Sequence, residues 1–104
     1  MVSFSTRTLR FMNKTQTAWY VYIIQTHKGA LYTGITKDVE RRFKEHLEVS
    51  LGIANAKGAK YFRTNKPCKI VYQEALVDRS QASKAEYKIK QMTRAKKLRL
   101  IDSK

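Results

Sequence analysis

Trp19-Tyr20-Val21-Tyr22-Ile23-Ile24, then His27-Lys28-Gly29, then Ala30-Leu31-Tyr32-Thr33-Gly34-Ile35 is the stretch that decides the fold. Its first six residues are β-branched or aromatic throughout, the composition of a buried strand. His27-Lys28-Gly29 supplies turn chemistry, and the next six residues read as the antiparallel partner. A symmetric turn centred on His27 places Tyr22 opposite Tyr32, so two phenols share a face. Gly34, two residues beyond Tyr32, belongs to that face too and leaves room for a bulky group to approach the sheet. Such a pair can equally be two ordinary half-buried strand tyrosines.

Downstream, Thr36 can cap a helix whose first turn carries Asp38 and Glu40. Val39, Phe43 and Leu47 repeat at helical spacing and carry that helix to about Leu47. At ~100° per residue, Arg42 and His46 fall one turn apart along the edge of the apolar stripe, where helix meets sheet, while Arg41 and Lys44 point elsewhere. A guanidinium on that border suits bidentate contact with phosphate, or it simply snorkels to solvent. His46 reads either as a functional imidazole or as a satisfied border histidine. Residues 49–66 are broken by Gly52 and Gly58, with a short helix expected near Ala59 to Phe62. A third strand is expected over Lys69 to Leu76, after Pro67. Ser80 then caps one long helix reaching about Leu98, with Ala82, Ala85, Ile89 and Met92 as its stripe. The expected class is α+β, a small three-stranded antiparallel sheet flanked by helices.

Glu86 stands out on that last helix. With Ala82 at zero it falls at ~40°, on the packing side, and it is the only acid between Ser80 and Ile101. A buried carboxylate needs a partner. Lys90 or Arg42 would serve through a salt bridge, or a hard cation such as Mg²⁺ would, completing its shell with water and phosphate.

Composition narrows the partner. The 104 residues hold 22 Lys and Arg against 8 Asp and Glu, a formal charge of +14. A body this small with that charge attracts polyanions, nucleic acid before an anionic membrane surface. Lys57, Lys60, Arg63 and Lys66 continue into Lys69 without one acid, interleaved with Tyr61 and Phe62. Backbone-tracking cations with stacking aromatics suit a nucleic-acid groove, although a solvated loop has the same look. Cys68 is the only cysteine, which excludes an internal disulfide and a cysteine-rich zinc site; it reads as a small buried filler. The apolar run from Trp19 to Ile24 is too short to span a bilayer. Residues 1–17 lack the apolar core of a secretory signal and read as a disordered basic tail, residues 18–101 as one domain, and 102–104 as a short tail, in a cytoplasmic protein.

Taken together, these residues resemble the GIY-YIG nucleases, in the stand-alone, single-domain bacterial form. Tyr20-Val21-Tyr22 followed by Tyr32-Thr33-Gly34 is similar to the paired signature. Arg42 and His46 follow Tyr32 at the family's spacing, Glu86 takes the place of its metal-binding glutamate, and Lys57 to Thr64 looks like the stand-alone members. Tyr20 replaces the first glycine of the signature, Thr33 its later isoleucine, and Leu98 an asparagine that some relatives carry. The resemblance implies one divalent ion, Mg²⁺ or Mn²⁺, on Glu86, with Tyr22, Tyr32, Arg42, His46 and Glu86 as the catalytic set. Tyr32, on the strand feeding the Arg42 helix, is the preferred activator of water. Arg42 would hold phosphate oxygens, and His46 would orient, or take a proton from, the tyrosine–water network. Free tyrosine titrates near pH 10, so a lowered value is expected beside Arg42 and a metal. The implied activity is hydrolysis of phosphodiester bonds, in DNA rather than RNA, by structure rather than sequence. A non-catalytic nucleic-acid-binding module on the same fold is the competing reading.

Overall fold

The computed structural model describes residues 18–104; the expectation for residues 1–17 lies outside them. The element order is β1 (Trp19–Thr26), β2 (Leu31–Thr36), α1 (Val39–Ser50), a 3-10 turn (Lys60–Arg63), β3 (Pro67–Leu76), α2 (Arg79–Lys90) and α3 (Arg94–Asp102). The strands form one antiparallel sheet in the order β2-β1-β3, so the most apolar strand takes the centre. Among the described residues no helix is long and apolar enough to cross a membrane.

Alternation along β1 splits the core in two. Val21 and Ile23 face Ile35, Tyr72 and the apolar sides of α2 and α3, Ile89, Met92, Leu100 and Ile101 among them. Tyr22 and Ile24 face the other way, toward Tyr32, Val39, Phe43 and Phe62. Strand β3 serves both faces because its register slips between Ile23 and Ile24, which pair with Tyr72 and Ile70 and leave Val71 as an extra residue.

A second slip corrects the reading of Cys68. Gln25 pairs with Lys69 and Thr26 with Pro67, so Cys68 is the extra residue of a bulge and is turned out to solvent, not buried. The hairpin register differs as well. Gly29 N–H bonds Thr26 O at 2.9 Å and Thr26 N–H bonds Ala30 O at 2.9 Å, which centres the turn on Lys28. Tyr22 therefore pairs with Gly34, and Tyr32 with Ile24. The two-residue shift keeps both phenols on one face, since side-chain direction has a period of two.

Both expected helix caps move to a nearby aspartate. Asp38 Oδ1 accepts the Arg41 N–H at 3.1 Å, while Thr36 Oγ1 accepts the Asp38 N–H at 3.2 Å. Asp78, not Ser80, caps α2 by accepting the Gln81 N–H at 2.9 Å. The single long helix expected to Leu98 is two helices. Thr93 Oγ1 accepts the Lys96 N–H at 3.2 Å and starts α3 afresh. The break turns Leu100 and Ile101 back onto the core that Met92 also reaches.

Candidate active site

Tyr22 is fixed first. Its ring lies over Gly34, where a Cβ would stand 2.5 Å from the phenol oxygen and 2.7 Å from Cζ. A side chain at position 34 would evict the phenol. Tyr22 is almost wholly buried, and its Oη lies 2.9 Å from His46 Nε2.

His46, expected at a helix border, is completely buried. Its Nδ1 accepts the Ala59 N–H at 3.1 Å, so that nitrogen carries no proton. Burial, with the charge of Arg42 beside it, lowers the His46 pKa from 6.5 to about 4. The imidazole is therefore neutral at physiological pH, its one proton sits on Nε2, and Nε2–H donates to Tyr22 Oη. This tautomer leaves the Tyr22 proton free to point elsewhere.

Arg42 is latched from two sides. Its Nη1 donates to Glu45 Oε1 at 2.8 Å and to the Lys57 carbonyl at 3.0 Å. The hydrogen bond from Arg42 holds the Glu45 carboxyl below the usual range. Although burial works against charge on Arg42, Glu45 and Tyr22 outweigh it and raise its pKa. Neither Glu45 nor the 57–59 backbone was singled out from sequence. Gly58 makes that backbone's approach possible, since a Cβ there would sit 2.5 Å from Glu45 O and 2.6 Å from His46 Cα. One three-residue segment thus supplies the carbonyl on Arg42 and the N–H on His46.

Tyr32 completes the aromatic wall. Its ring centroid lies 6.5 Å from that of Tyr22, 5.5 Å from His46 and 4.7 Å from Phe62. Exposed Tyr61 packs on it at 5.3 Å. Where a lowered tyrosine pKa was expected, Tyr22 moves up: desolvation raises it, Tyr32 adds to that, Arg42 pulls it down by less, and Glu86 raises it again. Buried phenol outweighs nearby guanidinium.

Glu86 sits on a flank of α2, the helix covering the sheet face opposite Tyr22, yet its charge still reaches Tyr22. Its Oε2 lies 3.2 Å from Lys90 Nζ, so the salt bridge is made with Lys90 and not Arg42. Of the expected nucleic-acid contacts, Lys60 and Arg63 line a cavity of about 590 Å³ with the 49–58 loop. Lys57 and Lys66 are exposed, and among the described residues none of the four is in an ion pair.

Residues 18–99 match the GIY-YIG catalytic domain family. The chain belongs to the GIY-YIG family. It is 48% identical over 84 residues to a UPF0213 protein of Desulfotalea psychrophila, covering 81% of this chain and 71% of that one. Against a UPF0213 protein of Staphylococcus saprophyticus the identity is 44% over 82 residues, 79% of this chain and 92% of the relative. The solution NMR structure of a UPF0213 protein from Bacillus halodurans superposes with a TM-score of 0.52 at 33% identity, over 85% of this chain and 86% of that one. The match to the family covers both phenols, Arg42, His46 and Glu86, and it implies a nucleic-acid substrate.

GIY-YIG nucleases typically use a divalent metal. Among the described residues no three His, Cys, Asp or Glu side chains gather into a ligand cluster. The carboxylate that the sequence offers as a donor, Glu86, is partly exposed and has Lys90 as its present partner. Such a donor fits a hard ion which keeps most of its shell in water and substrate oxygens, and does not fit a tight all-protein cage.

Proposed function

We propose that this chain is a metal-dependent endonuclease that hydrolyses phosphodiester bonds in DNA by structure rather than sequence. The reading rests on one observation above the others: the Ala59–His46–Tyr22 hydrogen-bond chain, which fixes a neutral imidazole as donor to a buried phenol beside a latched arginine. Any buried imidazole satisfies both ring nitrogens; what favours a functional reading here is that the N–H of His46 is given to a phenol that lies beside a second phenol and a guanidinium.

Each group then has a task. Arg42, already aimed by Glu45 and the Lys57 carbonyl, offers its guanidinium to phosphate oxygens as negative charge builds. Tyr22, whose oxygen accepts the hydrogen bond from His46 Nε2–H, is free to donate its own O–H in a hydrogen bond toward a phosphate oxygen. Its raised pKa makes it a poor base and leaves the water-activating role to the more exposed Tyr32. His46 orients Tyr22 and, with its pKa near 4, takes no proton from the network at neutral pH. Glu86 would hold one Mg²⁺ or Mn²⁺ ion, which supplies Lewis-acid stabilisation of the leaving oxygen when bound. Lys57, Lys60, Arg63 and Lys66 would track the backbone of the strand, giving affinity without sequence preference.

The Glu86–Lys90 pair favours a second reading, a non-catalytic binding module in which that carboxylate is only structural. End-labelled single-stranded, flapped and branched DNA, incubated with protein in Mg²⁺ and in EDTA, separates the two. Nuclease function gives Mg²⁺-dependent products from at least one form. Tight binding to every form with no product in Mg²⁺ or Mn²⁺ would establish the binding module instead.

A further inference from the structure

A cleft of about 490 Å³ opens next to Arg42, and Trp19, Lys37, Arg41, Glu45 and Arg79 line it with Arg42 and the end of β2. Four cations thus share one depression with one carboxylate. That carboxylate is already committed, because Glu45 bonds Arg41 Nη1 at 3.0 Å and Arg42 Nη1 at 2.8 Å. The other nearby acids, Asp38 and Asp78, hold helix caps, and Asp38 Oδ2 also lies 3.8 Å from Arg41.

Lys37 and Arg79 are left over. Among the described residues neither enters an ion pair, and residues 1–17 contain no acid that could supply one. Both are drawn to one indole: Lys37 Nζ and Arg79 Cζ each lie 5.6 Å from the centre of the Trp19 ring. The cation–π attraction is about 0.5–1 kcal/mol at such exposed sites, so the ring acts as a peg that holds two like charges together. Arg79 is also the first residue of α2, the end of a helix where a cation is disfavoured. Among the described residues only the Trp19 indole offsets this crowding of charge, and a polyanion laid along the cleft would offset far more.

We infer that the Lys37–Trp19–Arg79 cleft is a second phosphate site, which grips the nucleic-acid strand one or two nucleotides away from the bond to be cut. Two connections in the structure choose a strand over a free anion. Arg42 belongs both to this cleft and to the tyrosine–histidine site. Arg79 precedes Glu86 by seven residues on α2, about two turns and ~10 Å along the same helix face. A backbone that lays one phosphate between Arg42 and Glu86 therefore continues past Trp19. The site deepens the nuclease reading and rests on it for direction, but its occupancy needs no catalysis.

Trp19 is the chain's only tryptophan, so the cleft reports on itself. In EDTA, titration with a short DNA oligonucleotide should change Trp19 emission in step with binding followed by anisotropy of a labelled strand. Lys37→Gln with Arg79→Gln, which keeps the indole, should weaken binding about tenfold and lower the salt slope by about two. The full chain carrying Lys60→Gln with Arg63→Gln should bind less tightly yet keep the emission change. Unchanged emission at saturation, or an unchanged salt slope in the Lys37/Arg79 variant, would overturn the cleft. So would an emission response to anionic phospholipid vesicles with none to DNA. Retained emission change with no cleavage removes catalysis alone, and intact cleavage with silent emission removes the cleft alone.

Discussion

At the scale of single residues, the site is built from groups held away from their ordinary chemistry. The buried imidazole of His46 titrates near 4 and not 6.5. The unfolded chain therefore takes up that proton first as pH falls, and folding loses stability between pH 6.5 and about 4, by up to about 3 kcal/mol. Above pH 6.5 the contribution is complete. Urea denaturation from pH 7 to pH 4, beside the same series on His46→Gln, checks the sign: the wild type should show the slope and the variant should lose most of it. Glu45, whose carboxyl is held low by Arg42, adds loss at the acid end of that window in both proteins. Thr33 carries a desolvation cost instead. It is 4% exposed and its Oγ1 has no hydrogen-bond partner, at the position where the family signature carries isoleucine. Thr33→Val keeps the β-branch and removes the orphaned hydroxyl, so it should stabilise by about 1 kcal/mol. Differential scanning calorimetry should then show a Tm about 4–8 °C higher. A lower Tm would contradict the reading of Thr33 Oγ1 as an uncompensated buried hydroxyl.

At the scale of elements, the most consequential piece is the least regular one. The segment Lys57-Gly58-Ala59 is neither helix nor strand, yet it reaches Arg42 and His46 together. Gly58→Ala would push a methyl group into the α1 backbone, where nothing flexible can yield. The expected cost is about 1–3 kcal/mol by equilibrium denaturation, with any DNA cleavage falling further than the loss of folded protein explains. Cleavage at the wild-type rate in the folded variant would deny the segment its positioning role. This part of the site was not legible in the chain, because Gly58 in a run of lysines looks like a loop-breaking glycine and nothing local shows what it approaches. The hairpin was legible from its run of β-branched and aromatic residues and its Gly29 turn, α1 from its helical stripe, and the third strand from the apolar run after Pro67. Register was not: the turn centre moved by one residue, and only parity kept Tyr22 and Tyr32 on one face. Cys68 was misread because bulges leave no local mark. The break at Thr93 was missed because no glycine or proline announces it, whereas a lone threonine cap does.

At the scale of the whole molecule, the sheet acts as a partition. Tyr22, Tyr32, Arg42 and His46 gather on the α1 side, and Glu86 comes from the helix that covers the other side. A centre that uses Glu86 together with Tyr22, as proposed above, therefore draws on both layers of the molecule. A +14 chain needs little further help to collect a polyanion, which makes binding a weak test and turnover a strong one. The decisive quantity is the single-turnover cleavage rate of Glu86→Gln relative to wild type, on the same DNA at saturating Mg²⁺, with binding measured in parallel. A carboxylate that holds the ion should, when neutralised, cut the rate by at least about 100-fold, equivalent to about 2.7 kcal/mol of barrier, with affinity for DNA within about twofold. Equal rates in the two proteins would contradict the account, because Glu86 would then be no more than the partner of Lys90.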